Sequence, residues 1–116
     1  MDRRKELKEQ YKKIRPGMGI FIVHSNLSSN CYIEITKDLK SKINRTKFQL
    51  EFGSHPNKEL QKEWKDYGEK NFIIEILEKL KYDKNEPDKD YAEDLELLQI
   101  IWEEKLLKKG IKFYKS

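Results

Sequence analysis

The sequence predicts an α+β fold: a small three-stranded antiparallel sheet flanked by helices, with an extra helix at the N-terminus. Three observations carry this. Two runs rich in β-branched and aromatic residues, "MGIFIVHS" and "NCYIEIT", stand on either side of a polar stretch, which is the pattern of an antiparallel hairpin. A third run, "NFIIEIL", is almost continuously apolar and reads as a strand covered on both faces, so it is expected at the centre of the sheet. Around these runs, apolar residues recur at helical spacing.

Taken in order, "DRRKELKEQYKKI" is rich in helix formers and places Leu7, Tyr11 and Ile14 on one stripe, so residues 1–16 are expected to form a helical extension. "RPG" at 15–17 ends it. Strands are expected over about 18–25, 30–36 and 71–78. "DLKSKINRTKFQL" is helical, with Leu39, Ile43, Thr46 and Leu50 on one stripe and Gly53 beyond its end. "NKELQKEWKDYG" is a second helix, with Asn57 as its N-cap, Leu60, Trp64 and Tyr67 as its stripe and Gly68 as its stop. "KYDKNEPDKD" is a polar loop, and a last long helix covers 91–108.

Composition narrows the class. A chain of 116 residues is near the commonest domain size, so a single domain over 1–116 is expected. Forty per cent of residues are charged, against roughly 25% in an average protein. The surface is therefore heavily solvated, while the periodic apolar blocks argue against disorder. The single cysteine, Cys31, excludes an internal disulfide and a cysteine-based metal site and fits a reducing, cytoplasmic setting. The charged N-terminal stretch has no apolar core of a signal peptide, and no run approaches a membrane span. The net charge of +4 is uneven. Residues 1–50 carry twelve Lys/Arg against five Asp/Glu, and residues 51–116 carry thirteen against sixteen. The basic half could meet phosphates, or could simply keep the surface solvated.

The words and their order resemble a known family. "GIF" at 19–21, ten residues, "YIE" at 32–34, the basic helix "LKSKIN", then "KEWKDYGEKNFIIEILE" and an acidic helix are similar to the GIY-YIG nuclease domain over residues 18–107. The resemblance implies a domain that cuts DNA phosphodiesters with one divalent metal ion. It implies a site made of two motif tyrosines, an arginine on the helix after the hairpin and a metal-binding glutamate on a later helix. Here the first tyrosine falls on Phe21 and the second on Tyr32. The motif's closing glycine falls on Glu34, the arginine on Lys42 and the glutamate on Gln99, or on Glu96 if the helix slips by three residues.

Each departure has a chemical meaning. Phenylalanine cannot orient or relay a proton. Lysine keeps a charge but loses the planar fork that grips two phosphate oxygens. An amide is a poor substitute for the carboxylate on which Mg²⁺ or Mn²⁺ relies. Helical spacing places Gln99 inside the apolar stripe of its helix, where it either once faced a site or bonds a neighbouring tyrosine. Glu34 replaces a bare glycine on the strand face that looks toward Lys42, so the two are expected to pair within about 4 Å. Three readings stay open: an impaired nuclease-like domain that binds nucleic acid, DNA above all; an active nuclease with Glu34 or Glu96 as its metal carboxylate; and a protein-interaction module on the same scaffold. The first needs no cofactor and the second needs Mg²⁺ or Mn²⁺. Nucleic acid would meet the basic helix at Lys37, Lys40, Arg45 and Lys47. His24 and His55 have no second ligand at motif spacing and read as structural or exposed. The oligomeric state is not set by any of these features.

Overall fold

In the computed structural model, residues 15–86 and 88–115 are described. The helical extension expected over 1–16 lies outside them except for Arg15 and Pro16, which are not helical. Strands β1 (Met18–Ser25) and β2 (Asn30–Thr36) form the expected hairpin. They are antiparallel with Phe21 opposite Glu34 and Val23 opposite Tyr32. Helices α1 (Leu39–Phe52) and α2 (Lys58–Tyr67) follow, then β3 (Phe72–Leu80), α3 (Ala92–Lys108) and a short β4 (Lys112–Phe113).

The caps explain where the helices begin and end. Asp38 accepts from the Ser41 N–H at the start of α1, and Asn57 accepts from the Leu60 N–H at the start of α2. Each satisfies an orphan donor. Gly53 closes α1 in the left-handed conformation with φ 76°, which glycine adopts without cost.

The sheet differs from expectation in two ways. Among the described residues it has four strands in the order β3-β1-β2-β4, and β4 runs parallel to β2. The antiparallel part is the three strands expected. The fourth is held by Lys112 N–H to Ser29 O and Tyr114 N–H to Cys31 O, at 2.9 and 3.0 Å. The second difference is position: β3 is an edge strand and β1 is the centre. All of β1 except His24 is buried, whereas Ile73, Glu75, Ile76, Glu78 and Lys79 of β3 are exposed. Glu75 and Glu78 interrupt the apolar run and keep that edge wet, which also guards it against pairing with another chain.

Opposite partners on paired strands share a face. One face carries Phe21, Val23 and Tyr32 and packs under α1 and α2 through Leu39, Leu50, Leu60 and Trp64. The other carries Ile22, Cys31 and Ile33 and packs under α3 through Trp102 and Leu106. The T-shaped Tyr82–Tyr91 pair holds the approach to α3, with the Arg15 guanidinium 5.0 Å from the Tyr82 ring centroid. Among the described residues no helix is long and apolar enough to cross a membrane.

Candidate active site on the α1 face of the hairpin

The hairpin register sets the site. Tyr32 and Glu34 are two residues apart on β2, so their side chains leave the same face. The Tyr32 hydroxyl donates to Glu34 Oε1 at 3.0 Å. Lys42, in the first turn of α1, brings its Nζ to 3.7 Å from the same oxygen, within the distance expected of an ion pair. Both partners are partly buried. Glu34 Oε2 is buried with no hydrogen-bond partner among the described residues. Phe21 faces Glu34 across the hairpin and is wholly buried.

His55, read from the sequence as structural or exposed, joins this cluster as a structural residue. It is buried, and its ring meets Tyr32 edge-on with centroids 5.0 Å apart. The loop between α1 and α2 is pinned to present it. Its backbone N–H donates to Gln61 Oε1 at 2.9 Å, and Gln61 Nε2 donates to Leu50 O at 3.0 Å. Its Nδ1 accepts from the Asn57 N–H at 3.0 Å, which requires a lone pair there. The only sequence signal was its place two residues before an N-cap, in a loop that must fold back over the hairpin.

The electrostatics follow from this packing. Burial raises the Tyr32 hydroxyl far above its ordinary pKa, and the adjacent Glu34 charge and hydrogen bond raise it further. Tyr32 therefore stays a neutral donor. Burial lowers the His55 pKa, Glu34 opposes that and Lys42 adds to it. The fold accordingly prefers neutral His55, and the unfolded chain binds its proton more readily. Stability is expected to fall as pH drops through the ordinary histidine range toward the lowered folded value, and to be unaffected by this group above that range. Denaturant midpoints measured from pH 7 to about pH 5 check this, and His55→Asn should remove this contribution to the slope.

Among the described residues no bond joins Gln99 to the cluster. It lies on α3, which packs on the other face of the sheet, and its Nε2 donates to Glu103 Oε1 at 3.1 Å. The expected tyrosine partner is not the one found. Glu96 is exposed on the same helix. Among the described residues no group of three or more His, Cys, Asp or Glu side chains could hold a metal ion. The donor set does not fit a hard divalent ion: Glu34 supplies the cluster's one carboxylate, and its Oε1 already serves Tyr32 and Lys42.

Of the expected basic contacts, Lys40, Arg45 and Lys47 are exposed on α1. Lys37 is also exposed but paired with Asp90 at 3.3 Å. Phe48 and Phe52, stacked at 4.3 Å, lie exposed on the same helix. A second network was not legible in the sequence. Glu63 of α2 accepts from Ser28, Asn30 and the Tyr114 hydroxyl, tying the hairpin turn and the segment after β4 to one helix.

This architecture, a hairpin with a third antiparallel strand and helices on both faces, is the fold of a GIY-YIG endonuclease catalytic domain. Two solved structures share it, both of the catalytic domain of the homing endonuclease I-TevI, one in a point-mutant form. The mutant superposes with a TM-score of 0.63 at 24% identity, over 85% of this chain and 92% of that one. The other gives 0.64 at 23% identity, over 85% of this chain and 99% of that one. At this identity the likeness establishes the fold. No protein-family model and no curated protein matches the chain.

Proposed function

We propose that the chain is a nuclease-like domain that binds nucleic acid, DNA above all, without efficient cleavage. The observation that carries this reading is the Glu34 carboxylate 3.7 Å from the Lys42 ammonium. A phosphate approaching Lys42 would meet an anion already in place. The Tyr32 hydroxyl is engaged by the same carboxylate, and Phe21 has no hydroxyl to offer. With Gln99 where the resemblance implies a carboxylate, the set that would activate a metal-bound water is incomplete.

Binding falls to the exposed face of α1. Charge reversal at Arg45 and Lys47 together should weaken DNA binding by about 1–3 kcal/mol, one phosphate contact for each. Affinity should fall steeply with salt, as phosphate contacts require. The deciding experiment incubates the protein with supercoiled plasmid and Mg²⁺ or Mn²⁺ and titrates binding over a salt series. Binding without nicking is expected. Nicking that disappears in Tyr32→Phe would establish an active, rearranged site, and the buried lone pairs of Glu34 Oε2 would be the first place to seek its metal. Absence of salt-dependent binding would leave a protein-interaction module.

A further inference from the structure

Helix α3 is apolar on two sides. Leu95, Leu98 and Leu106 are buried, with Trp102 beside Leu106 against the sheet. Leu97, Ile100, Ile101 and Leu107 are exposed, Leu97 at 57% and Ile100 at 60%. Their spacing puts these four on one stripe along the helix, away from the buried side. A surface helix ordinarily keeps polar residues there, and monomers seldom leave a continuous apolar patch in water.

We propose that a second copy of this chain covers the stripe, the two α3 helices lying antiparallel about a two-fold axis. Charge selects this occupant. The first turn of α3 places Glu93 in line with the stripe and Asp94 beside it, and the last turn places Lys108 in line with it. Lys105 turns instead to the Trp102 ring at 4.8 Å on the sheet side. A stripe with opposite charges at its two ends is complementary to its own reversed copy, which is what a two-fold interface requires. Antiparallel pairing sets the acidic end of each copy beside the basic end of the other, and the helix macrodipoles also oppose. The helix has 17 residues and is about 25 Å long, so both charged ends meet within one seam. Glu104 lies within the stripe but pairs with Lys108 at 3.2 Å, and Asp94 pairs with Lys89 at 3.2 Å. Such solvated pairs are weak and can exchange for contacts across the seam. The seam is small, so roughly micromolar dissociation is expected. It lies on the far side of α3 from the sheet, so it stands or falls independently of the nucleic-acid reading.

Sedimentation of the full chain between about 1 μM and about 1 mM should show a monomer–dimer equilibrium. Ile100→Asp, at an exposed position, should leave the circular dichroism and melting of the monomer intact. It should raise the dissociation constant at least tenfold, on the order of a modest interface contact. Glu93→Lys and Lys108→Glu should each weaken the dimer. An equimolar mixture of those two variants should restore it, because only the mixture lets opposite charges meet at both ends. A monomer at every concentration, a dimer indifferent to Ile100→Asp, or a mixture that fails to re-associate would overturn the proposal. So would a monomeric wild type in which Ile100→Asp speeds tryptic cleavage within residues 1–14, because that segment would then be the occupant.

Discussion

Gly19→Ala should destabilise the protein by about 3–5 kcal/mol, among the larger effects of a single substitution. A Cβ on Gly19 would lie 2.1 Å from the Glu78 carbonyl oxygen and 2.9 Å from the Lys79 Cα. Both are backbone atoms of β3, the strand paired with β1. Neither can swing aside as a side-chain tip could. The pairing also shifts register between Ile20 and Phe21, and such an irregularity brings the two backbones into an unusual approach. The first glycine of the motif is therefore required by strand packing, whatever the chemistry of the site. Gly53→Ala is the control. Its Cβ would meet nothing within 4 Å, so only the left-handed backbone at φ 76° is penalised, at about 1 kcal/mol. Urea midpoints at unchanged slope measure both.

Phe21→Ala should cost a further large amount, about 3–5 kcal/mol. Phe21 is 0% exposed and belongs to the cluster with Val23, Leu39, Leu50, Leu60 and Trp64. The ring packs between the central strand and residues of both covering helices, Leu39 and Leu50 of α1 and Leu60 and Trp64 of α2, so its removal leaves a cavity lined from both sides. By contrast, Tyr32→Phe removes one hydroxyl that bonds Glu34 at 3.0 Å and should cost about 1 kcal/mol. If Phe21 instead lined an open cleft, Phe21→Ala would cost little. Equilibrium unfolding of the two variants distinguishes a packed position from a solvent-filled one.

Much of this was legible because the signals are local. The runs at 18–25 and 30–36 are bounded by turn residues and became strands over those bounds. Asn57 and Gly53 act as caps through bonds within four residues of themselves. Tyr32, Glu34 and Lys42 meet because period two on a strand and the first turn of the next helix fix where their side chains go. What failed depends on neighbours that periodicity does not name. An apolar run like that of β3 does not say whether it has one flanking strand or two. β4 is two residues long and has no period at all; bonds to Ser29 and Cys31 place it. The wheel placed Gln99 inside the apolar stripe, where it is partly buried and bonded to Glu103, but it does not say which face of the sheet α3 covers. His55 depends on a loop whose path is set by Gln61 and Leu50, none of which forms a motif with it.

The single thiol offers a clock. Cys31 is free, 0% exposed and pushed up to about 11 by burial, so a disulfide reagent in solution finds neither access nor thiolate while the hairpin stays closed. Its reaction then counts openings of the hairpin, one modified chain for each event caught before reclosure. With reagent dilute enough that reclosure outpaces labelling, labelling rates compared with those of the denatured chain convert into an opening free energy. Gly19→Ala should speed labelling at least about a hundredfold, while Ile100→Asp, on the far side of α3, should leave the monomer's rate unchanged. No probe need be attached: the core already contains one, at the junction where β2 meets both the central strand and the last short strand.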